Sequence, residues 1–144
     1  MGVDKELIDD FCAEIIKIKG ELSTYIAQMM KPKIEQIDAS YFSKYGNAID
    51  RIYGTAATLG YTDIASYCLA MKEVTYMAAQ SENQLGHKKT IKMMIESIGF
   101  LEELTSAIYD NSKLKLFKNK ITMEVKRVER MNRQEFYSIT KKSC

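Results

Sequence analysis

The sequence has few of the residues on which disulfide and metal sites depend. Its 144 residues include three cysteines and one histidine. The cysteines Cys12, Cys68 and Cys144 are widely spaced and odd in number, which argues against a disulfide framework and against a thiolate metal cage. We therefore expect no cofactor and no bound metal, and we expect Cys12 and Cys68 to be small core residues.

Segments that direct a chain to a membrane are also missing. No apolar run approaches the roughly 18 to 20 residues needed to cross a bilayer. The N-terminus, Met1-Gly2-Val3-Asp4-Lys5-Glu6, lacks the basic start and apolar run of a signal peptide. Glu6 stands where a myristoylation signal has Ser or Thr. The sequence thus predicts a cytoplasmic protein.

Motifs for catalysis are absent as well. The chain has no glycine-rich nucleotide loop, no His, Cys or acidic residues at metal-ligand spacing, and no recognisable pair of nucleophile and base. We therefore expect that the protein is not an enzyme.

The single proline and the periodicity of the apolar residues favour an all-helical chain. A first helix is predicted from Asp4 to Met30, ending at Lys31-Pro32 because proline disfavours helical geometry in the residue before it. A second helix should begin between Ile34 and Ser40 and end at Gly60. Further helices should begin at Thr62 or Asp63 and, through a capping box, at Ser81. Leu7 and Leu85 are among the residues expected to face the core.

Four amphipathic helices joined by short connections predict an antiparallel up-down four-helix bundle over residues 1–110. Residues 1–110 carry 11 basic and 16 acidic side chains, a net charge of −5, whereas residues 111–144 carry 10 and 3, a net charge of +7. Apolar residues recur at helical spacing from Phe117 to Val128. Residues 111–144 are therefore expected to form an additional basic helix, or an extension of the same domain, that packs on the body or binds an acidic partner.

Small residues surround a lone carboxylate on one side of the second predicted helix. Phe42, Tyr45, Ile49, Ile52, Ala56 and Leu59 form a stripe suited to burial. A second side carries Gly46, Asp50, Gly54, Ala57 and Tyr61. A glycine inside a helix costs about 1 kcal/mol relative to alanine. Gly46 and Gly54 are therefore explained either by a partner that approaches the backbone closely or by tight packing between helices of the bundle.

The segment from Asp50 to Gly60, Asp-Arg-Ile-Tyr-Gly-Thr-Ala-Ala-Thr-Leu-Gly, resembles the signature of histidine-containing phosphotransfer (HPt) domains. In that family a phosphorylatable histidine is followed by a lysine, a glycine, small residues and a Leu-Gly turn. The register is given by Gly54, Ala56, Leu59 and Gly60 together. The segment from Ile64 to Glu73 resembles the next helix of the family, and the resemblance extends over about residues 5–110.

Two positions depart from the family pattern. In this register Asp50 occupies the position of the phosphoryl-accepting histidine, and Tyr53 that of the lysine that helps to stabilise the phosphoryl group. A carboxylate attacks phosphoryl donors usefully when a metal and further carboxylates neutralise charge, and we expect neither a second acid nor a lysine beside Asp50. His87 lacks the small-residue setting, and we expect it to be an exposed helix residue.

The resemblance implies a pseudo-HPt signalling module that binds the receiver domain of a response regulator, or a histidine kinase, without transferring phosphate. Partner contacts are then expected at Gly46, Asp50, Tyr53, Gly54, Ala57 and Tyr61. The alternative is a structural or interaction bundle whose basic C-terminal helix mediates self-association or binding to an acidic partner. Glu124, Glu129 and Glu135 interrupt that helix, and no aromatic stacking pattern is present, so nucleic acid is not expected as the partner.

Overall fold

A computed structural model describes residues 3–143, and the side chains of residues 3–136. Met1, Gly2 and Cys144 lie outside the described residues. Over the described range the chain is all-helical, with five α-helices, one short 3₁₀ helix and no strand. The helices are α1 (Lys5–Met29), α2 (Ser40–Leu59), α3 (Thr62–Gln80), α4 (Gln84–Ala107) and α5 (Asn111–Ser143), and the 3₁₀ helix is Ile34–Gln36.

Local capping sets the bounds of these helices. The Asp4 side chain accepts a hydrogen bond from the Glu6 amide and begins α1, which ends just before Lys31-Pro32. Gly60, with φ 85°, ends α2 in the left-handed conformation that glycine adopts without steric cost. The expected capping box at Ser81 is wrong by two residues. Asn83 is the N-cap of α4, because its side chain accepts from the Gly86 amide, while Ser81 Oγ accepts from the Asn83 amide.

The core is continuous from α1 to α5. As predicted, Phe42, Tyr45, Ile49, Ile52 and Ala56 are buried along α2, and Cys12 and Cys68 are buried in the core. Leu7 and Leu85, predicted to be buried, are exposed. In α4 the two residues that follow Leu85, Gly86 and His87, face the core, so the side chain of Leu85 faces solvent. In α1, Ile8 is half-buried in place of Leu7.

Polar contacts tie neighbouring helices together and run in opposite order along each pair. Between α1 and α2, Glu14 meets Thr55 and Glu21 meets Arg51. Between α1 and α4, Tyr109, just beyond the end of α4, donates to Asp9, and Lys19 donates to Glu102. Between α2 and α3, Asn47 meets Tyr76 and Asp50 meets Lys72. Within each of these pairs, the start of one helix therefore lies beside the end of the other.

The described part of α5 packs on α3 and α4. Its inward side chains Phe117, Ile121, Val128 and Phe136 are buried in the same core as those of the other helices. Three residues of α4 form ion pairs with α5: Glu103 with Lys120, Glu96 with Arg127 and Lys89 with Glu135. The backbone of α5 is locally non-helical at Phe136, with φ −121° and ψ 19°.

Candidate functional site

Asp50 faces solvent at the contact between α2 and α3. Its side chain is 43% exposed, and its Oδ1 accepts a hydrogen bond from Lys72 Nζ at 3.1 Å. The hydrogen bond to Asp50 is the main cause that raises the pKa of Lys72 above its ordinary value of 10.5, and desolvation opposes it. The carboxylate at position 50 is therefore held in a charged pair that a binding partner can reach.

The expectation that no lysine lies beside Asp50 is wrong. Lys72 comes from α3, which follows α2 after the short turn at Gly60 and Tyr61. Because the contacts along α2 and α3 run in opposite order, residues at nearly equal distances from that turn meet across the pair. Asn47, fourteen residues before Tyr61, meets Tyr76, fifteen residues after it. Asp50 is eleven residues before Tyr61 and Lys72 eleven residues after it. Counting outward from the predicted turn would have found the pair.

Gly54 and Ala57 extend the exposed area one and two turns along α2 from Asp50. A Cβ placed on Gly54 would meet nothing within 4 Å, so no part of the bundle requires a glycine there. Tyr53 is half-buried beside them. We call Asp50, Tyr53, Gly54, Ala57 and Lys72 the Asp50 surface. In it the backbone of α2 at Gly54 is exposed beside an ion pair.

Two other residues expected on this surface are buried instead. A Cβ on Gly46 would lie 2.5 Å from Cε1 of Tyr76 and 3.0 Å from Oγ1 of Thr75, so this glycine serves helix packing within the bundle. Tyr61 is buried, and its ring stacks on Phe11 with centroids 5.9 Å apart. At Tyr61 the chain has left the helical path after Gly60, so the helical spacing that placed Tyr61 beside Asp50 no longer applies.

His87 is buried, which corrects the expectation that it is an exposed helix residue. Its Nε2 is 2.9 Å from the carbonyl oxygen of Ala78, near the end of α3. Its ring packs at an angle against Phe42, with centroids 4.9 Å apart. The side chain therefore joins the start of α4 to the end of α3. A phosphoryl acceptor must be accessible to its partner, and His87 is buried.

Charged neighbours define what the Asp50 surface can do chemically. Among the described residues, no group of three or more His, Cys, Asp or Glu side chains is placed to hold a metal ion. Asp50 has one charged partner in the described structure, the ammonium group of Lys72. Such a pair can recognise a complementary charged or hydrogen-bonding surface.

No protein-family model matches the chain, and no curated protein or solved structure matches it. In the part of the chain that the structure describes, no helix combines the length and apolar character needed to span a membrane.

Proposed function

We propose that the protein is a non-catalytic pseudo-HPt module that docks a receiver domain or a histidine kinase through the Asp50 surface. In this proposal α1 to α4 form an HPt-like up-down bundle, and α5 is an addition to it. The opposite order of contacts along α1 and α2, along α2 and α3, and along α1 and α4 supports that arrangement. On this proposal the protein acts in the cytoplasm.

One observation carries the proposal: the residue in the histidine position of the resemblance is exposed, and the backbone next to it is uncovered. Asp50 is half-exposed, and the space over Gly54 is open. A glycine inside a helix lowers stability by about 1 kcal/mol relative to alanine, and packing inside the bundle gives no reason for it at Gly54. A partner that packs closely against α2 would explain the glycine at this position.

The chemistry of the Asp50 surface favours docking over phosphoryl transfer. A neutral imidazole is nucleophilic near pH 7, whereas a carboxylate held by Lys72 is a weak nucleophile. The carboxylate instead places a fixed negative charge where the phosphorylated histidine of an HPt domain would lie. A module of this kind would occupy a receiver domain and modulate or scaffold a phosphorelay.

The test is a binding assay with a matched pair of variants. The full chain is immobilised and exposed to purified receiver domains and histidine kinases from the same organism. Gly54→Arg adds a long charged side chain to the Asp50 surface. Gly99→Arg makes the same change at an exposed glycine of α4, where a Cβ also meets nothing within 4 Å. Far-UV circular dichroism and thermal unfolding confirm that both variants fold.

We expect the wild type and Gly99→Arg to bind the same receiver domain or kinase, and Gly54→Arg to lose at least about tenfold in affinity, the equivalent of 1.4 kcal/mol. Equal binding by all three proteins would show that the Asp50 surface is not the interface. A chain that binds none of the receiver domains and kinases would overturn the proposal as a whole.

A further inference from the structure

The outward face of α5 combines exposed apolar side chains with exposed basic side chains. Leu116 is 70% exposed and Met123 is 74% exposed. At 100° per residue these two side chains lie within about 20° of one another, roughly 10 Å apart along the helix. We call this side of α5, with the basic residues around it, the α5 outer face.

Basic side chains surround this apolar pair. Lys113, Lys115, Lys126, Arg130 and Arg133 are exposed, and none has an ion-pair partner among the residues whose side chains are described. They extend over about 30 Å at 1.5 Å per residue. Lys120 lies on the same side but is bound to Glu103 of α4.

The acidic residues of α5 lie to the sides of Leu116 and Met123. Glu124 binds Arg127, and its side chain is only 14% exposed. Glu135 binds Lys89 and accepts a hydrogen bond from Asn83. Glu129 is exposed and lies about 140° around the helix from Leu116, but about 40° from Arg133. All three acidic residues lie about 80° or more around the helix from Leu116, and the exposed Glu129 borders the basic residues beside Arg133.

We infer that the α5 outer face binds the surface of a membrane that contains anionic lipids. Basic residues near such a surface each contribute to attraction, and apolar side chains that project from a helix in the interfacial plane enter the boundary between headgroups and acyl chains. The charge of the face is complementary to anionic headgroups. Leu116 and Met123 project from it and would enter the boundary between headgroups and acyl chains.

Two other occupants fit the face less well. A nucleic-acid backbone would match the positive charge, but it would give no apolar contact to the projecting Leu116 and Met123. A second copy of the chain, packed face to face about a two-fold axis, would bring like charges together. An anionic lipid surface satisfies both the charge and the apolar side chains.

The full chain is tested by flotation with vesicles of phosphatidylcholine alone and of phosphatidylcholine with about a third phosphatidylserine. We expect binding to the anionic vesicles, little binding to the neutral ones, and release at high salt because the attraction is electrostatic. Substituting Leu116→Ser together with Met123→Ser should weaken binding to anionic vesicles by about tenfold.

Two charge-reversal variants test whether vesicle binding depends on the α5 outer face or only on the net charge of the protein. The triple variant Lys115→Glu, Lys126→Glu, Arg130→Glu should abolish vesicle binding. The control Lys17→Glu, Lys31→Glu, Lys33→Glu makes the same change in net charge at exposed positions outside α5 and should retain most of the binding. Circular dichroism checks that each variant folds.

Several outcomes would overturn the inference. These are no binding to anionic vesicles, equal loss in both triple variants, or no effect of the Leu116 and Met123 substitutions. Binding to duplex DNA or RNA in place of vesicles would assign the face to nucleic acid, and self-association that depends on Leu116 and Met123 would assign it to a second copy. None of these results bears on docking at the Asp50 surface, which is on α2 and α3.

Discussion

The ring of Tyr76 lies against the backbone of α2 at Gly46. A Cβ at that position would be 2.5 Å from Cε1 and 2.8 Å from Cδ1 of the ring, and the tyrosine hydroxyl donates to the Asn47 side chain, which holds the ring in place. Gly46 and Gly54 are two turns apart on one helix. Tyr76 covers Gly46, whereas the space over Gly54 is open.

These surroundings predict opposite effects of the same substitution. Gly46→Ala should lower the free energy of unfolding by about 1 to 2 kcal/mol, because Tyr76 and the buried Thr75 must shift to admit the methyl group. Gly54→Ala should raise it by about 0.5 to 1 kcal/mol, because alanine is favoured in a helix and the space is open. Urea denaturation of the three proteins measures both changes. A stable Gly46→Ala variant would contradict the packing described for Tyr76.

If the register of the HPt resemblance is right, introducing the histidine and the lysine of the HPt signature should allow the chain to accept a phosphoryl group. In the double variant Asp50→His, Tyr53→Lys, an imidazole would stand at an exposed position of α2, with Lys72 of α3 also nearby. We expect the variant to accept a phosphoryl group from a phosphorylated receiver domain and to carry it as an acid-labile, alkali-stable phosphate. Radiolabelling and phosphopeptide mapping measure this. The wild type and Asp50→Ala serve as controls, and an unlabelled double variant that is folded would show that the register of the resemblance is wrong.

His87 is predicted to serve stability and not phosphoryl chemistry. Substituting His87→Ala should lower the free energy of unfolding by roughly 2 kcal/mol, because a void would form beside Phe42 and the contact to the Ala78 carbonyl would be lost. Chemical denaturation measures the change. Labelling of the wild type with phosphoramidate, which phosphorylates accessible histidines, should leave the folded chain unmodified. Phosphate on His87 would contradict its burial.

Stability should decline in alkaline solution. Burial raises the pKa of the Cys68 thiol from 9.0 to about 12, so that above pH 9.0 the unfolded chain loses this proton while the folded chain keeps it. The folded state then binds more protons than the unfolded state, and the free energy of unfolding falls as pH rises, by up to about 1.4 kcal/mol per pH unit for one such group. Burial also raises the pKa of Tyr67, which acts in the same direction at higher pH.

Urea midpoints measured at neutral pH and between pH 9.0 and about 10 test this dependence. The variant Cys68→Ala removes the thiol from the core. It should have a shallower decline over that interval than the wild type, whatever its stability at neutral pH. Equal slopes for the two proteins would show that ionisation of Cys68 does not contribute.

Sequence periodicity predicted the helices well where helix ends are set by local chemistry. Pro32 and Gly60 act through their own backbone geometry, so the ends of α1 and α2 could be predicted. The burial of His87 and the pairing of Lys72 with Asp50 depend on which helices are neighbours. No residue carries that information alone, and counting outward from the turn at Gly60 and Tyr61 indicates only the pairing of Lys72 with Asp50.

The two glycines of α2 show a further limit. Both are on the Asp50 side of the helical wheel, and nothing in the sequence distinguishes the one that a neighbouring ring covers. That difference depends on the position of Tyr76 on α3. Similarly, the acidic residues of α5 were expected to interrupt its basic face, since the sequence does not show that Lys89 and Arg127 hold two of them to its sides.

The side chain of Asn83 caps the N-terminus of α4 and forms hydrogen bonds with α5. Its Oδ1 accepts from the Gly86 amide, while its Nδ2 donates to the Glu135 carbonyl and carboxylate groups. Asn83 therefore links the first turn of α4 to the region of α5 near Phe136, and we expect the two to open together. In amide hydrogen exchange the Gly86 amide would report a release of α5 that takes place 50 residues farther along the chain.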